Sequence, residues 1–87
     1  MSFINVCFIK SGQPINMQAK SDMMFAELAF KYMQKAGIDQ NTDQPKFIFN
    51  SFELTTDSCK SLDELKIRDG ARIDVVLGKN IIGAKII

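Results

Sequence analysis

The 87-residue sequence predicts an α+β domain, a mixed sheet packed on one helix in the order β-β-α-β-β-β. Three observations carry this. Two runs of alternating apolar and polar residues flank Lys10-Ser11-Gly12-Gln13, which is the pattern of a hairpin. Phe25, Leu28, Ala29, Tyr32 and Met33 then recur at helical spacing. Finally, Lys46 to Leu54 and Ser61 to Gly78 read as a strand, a turn, a short edge segment, a one-turn loop and a last strand.

The elements follow in order. Ile4, Val6 and Phe8 alternate with Asn5, Cys7 and Ile9, so one face of the first strand is buried. Gly12 supplies the freedom that the turn needs. Ile15, Met17 and Ala19 alternate in the second strand, with Pro14 at its start, where a missing N–H is tolerated. Ser21-Asp22 is read as the helix cap. Lys35-Ala36-Gly37 closes the helix, and Ile38 folds back as an apolar anchor. Residues 39–44 are polar and precede Pro45, so a loop is expected. Phe47 and Phe49 face one way from the third strand and Ile48 the other. Leu62, Leu65 and Ile67 anchor the loop, and Asp69-Gly70 turns into the last strand. There Ile73, Val75 and Leu77 face inward, while Asp74 and Val76 face outward.

Composition narrows the function. Net charge is +1 with no basic stripe, so neither nucleic acid nor a membrane is an expected partner. No apolar run reaches the roughly 18 residues of a membrane-spanning helix. The chain holds no histidine, which removes Ser-His and Cys-His nucleophile pairs and histidine-bound zinc. Cys7 and Cys59 are too few for a four-cysteine iron–sulfur site, and no cofactor or metal is implied. Lys10 is a weak activator for the neighbouring Cys7, so both thiols read as passive. The chain is expected to be non-catalytic and monomeric, in the cytoplasm or nucleus.

This order of elements resembles the β-grasp fold of the ubiquitin-like family, ubiquitin and SUMO, over roughly Ile4 to Gly78. Three segments carry the resemblance: Lys31 to Ile38 at the helix end, Phe47-Ile48-Phe49 in the third strand, and Leu62…Leu65-Lys66-Ile67 before the last. The division is then a ubiquitin-like domain over 1–78 and an apolar tail over 79–87. The resemblance implies two protein-binding surfaces. One is a sheet patch of Ile9, Lys46, Ile48, Asp74 and Val76, expected to meet ubiquitin-pathway receptors or other binders of ubiquitin-like domains. Half-exposed β-branched residues are also ordinary on a sheet face, so the patch competes with plain surface. The second is a groove between strand and helix, at Ile15, Met17, Lys20, Leu28 and Lys31, that would accept an added strand. Glu27 departs from the basic residue that SUMO carries there, which ranks the groove below the patch.

Phe30 and Phe52 lie off the predicted core and are expected to pack against a loop or the tail. Phe52 also takes the place of a linkage lysine of ubiquitin. The tail Ile81-Ile82-Gly83-Ala84-Lys85-Ile86-Ile87 lacks the Gly-Gly end of a conjugated modifier. It reads as a strand extension or as the start of a longer parent chain. The alternative is a processing point at Gly83, which would make the chain a modifier conjugated through that glycine.

Overall fold

The computed structural model describes residues 2–56 and 58–78. The tail and Gly83 lie outside them. The elements are β1 (Phe3–Lys10), β2 (Gln13–Lys20), α1 (Phe25–Ala36), α2 (Gln40–Asp43), β3 (Pro45–Phe49), β4 (Phe52–Leu54) and β5 (Ala71–Leu77). The five strands form one mixed sheet in the order β2-β1-β5-β3-β4. β1 and β5 are parallel at its centre, and the other neighbours are antiparallel. This is the expected α+β grasp.

One face of the sheet closes on α1. Val6 and Phe8 from β1, Phe47 from β3 and Ile73 from β5 meet Phe25, Leu28, Ala29 and Tyr32 of α1, all with no exposed surface. Leu62 and Ile67 seal one end. Four aromatic rings sit at the centre. Phe8 stacks on Tyr32 at 4.3 Å, and the Phe47 ring meets Phe8, Phe25 and Tyr32 edge-on at 5.6–6.1 Å. Both geometries suit the quadrupoles of the rings.

The Tyr32 hydroxyl is the exception in this core, being buried without a hydrogen-bond partner among the described residues. Burial pushes its pKa up. An unpaired buried hydroxyl costs on the order of 1–3 kcal/mol of desolvation. Tyr32→Phe keeps the stacked ring and removes that cost. We expect its urea midpoint to rise by the equivalent of about 1 kcal/mol. A fall in the midpoint would mean that the hydroxyl has a partner.

Two local expectations are corrected. Ser21 and Asp22 do not cap the helix. They form the turn that leaves β2, where the Ser21 N–H reaches Ser2 O at 2.9 Å and the Met23 N–H reaches Lys20 O at 3.0 Å. The N-cap is Met24, which has no capping side chain. Instead, backbone carbonyls of the distant 58–60 loop accept from the first turn: Lys60 O from Phe25 N–H at 3.0 Å, and Ser58 O from Ala26 N–H at 3.3 Å. Those donors have no partner within the helix, so tertiary structure supplies one. Secondly, the predicted loop over 39–44 contains the single turn α2. Its cap is Asp39, whose Oδ1 accepts from Asn41 N–H at 2.8 Å and Thr42 N–H at 3.3 Å. These bonds hold the Asp39 carboxyl below the usual carboxylate range.

The end of α1 is as expected. Gly37 takes φ 72°, and Ile38 N–H returns to Met33 O at 2.9 Å. The loop built on Leu62 is a turn closed by a capping box. Ser61 N–H donates to Glu64 Oε1 at 2.9 Å, and Glu64 N–H donates to Ser61 Oγ at 3.1 Å. The bond from the Ser61 N–H, with a smaller contribution from the Ser61 side chain, holds the Glu64 carboxyl below its usual range. The Asp69-Gly70 turn is tied to β1. Asp69 Oδ1 accepts from Asn5 N–H at 2.8 Å, and Gly70 N–H donates to Asn5 O at 2.8 Å.

Candidate docking face

The face of the sheet turned away from α1 is built by alternation. Phe8, Phe47, Ile73 and Val75 are buried, so Ile9, Lys46, Ile48, Asp74 and Val76 point the other way. Register brings these five together on three neighbouring strands. Ile9 of β1 stands beside Asp74 of β5, which stands beside Ile48 of β3. One step along, Val76 stands beside Lys46. The three apolar residues are half-buried, and Lys46 and Asp74 are exposed. The result is a small apolar surface with one charge of each sign.

Register also adds residues that strand-by-strand alternation did not single out. Pro14 of β2 continues the Ile9–Asp74–Ile48 row at one end, and Glu53 of β4 continues it at the other. Arg72 pairs with Cys7 in the row beyond. Nothing in a single strand reveals such neighbours, because cross-strand pairing is a property of two segments.

The groove is assembled less completely. β2 is an edge strand, so its outer side has no neighbouring strand among the described residues. Ile15 and Met17 are half-buried against the core, and Lys20 and Lys31 are exposed. Leu28 is the correction: it has no exposed surface and offers nothing to a bound peptide. The Lys31 ammonium lies 3.8 Å from Glu27 in an exposed i,i+4 pair, so its charge is partly offset.

Among the described residues no group of three or more Cys, Asp or Glu could hold a metal ion. Cys7 is half-buried and Cys59 exposed. No helix among the described residues is long and apolar enough to cross a membrane. Phe30 and Phe52 do not pack as expected, being 56% and 73% exposed. Phe52 instead borders a second surface, a cleft on the helix side of the sheet, which the sequence reading did not find.

A family model described as ubiquitin-2 like, Rad60 SUMO-like, matches residues 8–77. The chain belongs to this ubiquitin-like, SUMO-like family. None of the curated proteins compared with it matches. Among solved structures, the ubiquitin of Caldiarchaeum subterraneum superposes with a TM-score of 0.75 at 11% identity, over 87% of this chain and 94% of that one. An N-terminal ubiquitin-like domain solved in solution gives 0.71 at 15%, over 86% and 74%. A protein designed on the basis of ubiquitin gives 0.71 at 21%, over 86% and 88%. At these identities the likeness is one of fold. The ubiquitin-like domain keeps the grasp while sharing few side chains with these structures, so its surfaces must be argued from its own residues.

Proposed function

We propose that this ubiquitin-like domain is a non-catalytic docking module whose partner proteins bind the outer sheet face around Ile9, Ile48 and Val76, with Lys46 and Asp74 on the rim. The observation that supports this reading is the register. Three half-buried apolar side chains from three strands share one face, with a charge of each sign beside them. A small apolar centre with a polar rim is the anatomy of a protein interface. So small a surface gives affinities on the order of micromolar or weaker. The partners are receptors of the ubiquitin pathway or other binders of ubiquitin-like domains.

The test uses Ile48→Thr with Val76→Thr, which keeps the β-branched shape and removes apolarity. Proteins retained by the immobilised wild-type domain should be lost from the variant by at least about tenfold, the equivalent of 1.4 kcal/mol. The thermal midpoint should fall by only a few degrees. Equal retention by both proteins refutes the face, and unfolding of the variant would show that these residues belong to the core. The rival reading, a modifier conjugated through Gly83, predicts a native-source protein whose intact mass ends at Gly83.

A further inference from the structure

The helix-side face of the sheet carries a second surface, which meets the docking face only at Glu53. The 61–66 turn, which adjoins the start of α1 through the Met24–Ser61 bridge, faces the β3–β4 hairpin. Between them lies an open cleft of about 320 Å³. Phe49, Leu54 and Leu65 line it, and each also packs on the core. Phe52 stands at the lip with 73% of its surface exposed. Glu64 and Lys66 are on the opposite wall.

β4 is also an edge of the sheet formed by the described residues. Phe49 pairs with Phe52 across the two residues Asn50 and Ser51, which have φ 51° and 69°. Positive φ at both positions is the signature of a tight type I′ turn, in which the closing pair exchanges hydrogen bonds. Antiparallel pairs alternate, so the next residue, Glu53, directs its N–H and C=O outward. Its exposed carboxylate lies on the outer face beside Ile48. Phe52 and Leu54 flank it, and both side chains lie on the cleft side.

These facts specify an occupant. We propose that the β4 edge and its cleft bind an extended peptide with the pattern apolar–basic–apolar. The central residue exchanges two backbone hydrogen bonds with Glu53 and places its cation beside the Glu53 carboxylate. The two apolar residues then lie opposite Phe52 and Leu54 and fill the cleft. This is strand addition with alternate side chains setting specificity. Charge decides against a second copy of this chain. Antiparallel pairing of two β4 edges about a two-fold axis at Glu53 sets Glu53 against Glu53, and like charges directly opposite are destabilising.

The probes are two fluorescein-labelled nonapeptides with Ser/Gly flanks, one centred on Phe-Lys-Leu and the other on Phe-Glu-Leu, read by fluorescence polarisation and amide NMR. Wild type should bind the lysine peptide at least tenfold more tightly. Glu53→Lys, an exposed change that leaves the core intact, should invert the preference. Amides of residues 52–54 and 64–66 should shift, while those of Ile9 and Val76 stay still. Equal binding of the two peptides, an uninverted preference, or shifts centred on Ile9 and Val76 would overturn the proposal. So would self-association lost in Phe52→Ala, which would make a second copy the occupant. Because Val76 pairs with Lys46 and does not adjoin β4, a Val76→Thr variant should still bind the lysine peptide, so failure of the docking face and failure of this cleft are separable.

Discussion

Phe47→Ala should unfold the domain at or near physiological temperature. Phe47 is completely buried on β3 and lies edge-on to three other aromatic rings. Removing a buried phenyl costs about 3–5 kcal/mol through lost transfer energy and the cavity left behind. The cost should fall at the high end here. The neighbours are rigid rings in a ridge of strands and one helix, and rings collapse into a void less readily than flexible side chains. A domain of 87 residues has a total stability of about 4–13 kcal/mol, at about 0.05–0.15 kcal/mol per residue. A loss of this size consumes much or all of it. Circular dichroism during urea unfolding should show a midpoint lowered by at least about a third, with an unchanged slope if the variant still folds two-state. A midpoint within a tenth of wild type would mean that the four-ring cluster is not the centre of the core.

Leu62→Ala should cost about 2–5 kcal/mol, although Leu62 lies outside every strand and helix. It is fully buried, and its backbone belongs to a network. The Leu62 N–H donates to Met23 O at 2.9 Å, and its carbonyl accepts from Ile67 N–H at 2.9 Å. The adjoining 58–60 segment supplies the carbonyls that receive the first helical donors of α1. Truncation therefore removes an apolar anchor and loosens a cap at the same time. The consequence is spatially specific. Hydrogen exchange at the Phe25 and Ala26 amides should accelerate more than at Ile73 in the sheet centre, provided the variant stays folded. Uniform acceleration would mean that the loop is only filler and that its connection to the helix start carries no extra coupling.

The sequence showed its architecture where periodicity is strong. The alternating β1 and β2, the helical stripe from Phe25 to Met33 and the glycine cap at Gly37 obey local rules, and all three are present. It misled where local chemistry competed with partners far along the chain. Ser21-Asp22 has the residue types of a cap. The helix start is satisfied instead by carbonyls about 35 residues downstream, and no local rule anticipates that. Asp39 was the reverse case, a capping residue hidden in what looked like a plain loop. The outer face was legible as a set of outward-pointing residues, but its completion by Pro14, Glu53 and Arg72 depends on register. The cleft beside Phe52 was not legible at all, since it exists only where a hairpin and a turn separated by the 55–60 segment come to face each other.

The parallel pairing of β1 with β5 has a consequence for how the domain comes into being. These two neighbouring strands are the first and last among the described residues, with Val6 beside Ala71 and Lys10 beside Val75. During synthesis, the β1–β2 hairpin and α1 emerge while the sheet still lacks its middle. Ile73 and Val75, which complete the apolar layer under the helix, are among the last residues of the domain to emerge. Closing so long a stretch of chain is entropically slow. Until β5 arrives, β1 presents an open strand edge and an uncovered apolar face. A nascent chain halted before residue 71 is thus an incomplete sheet, exposed along its centre to whatever other strand is nearest.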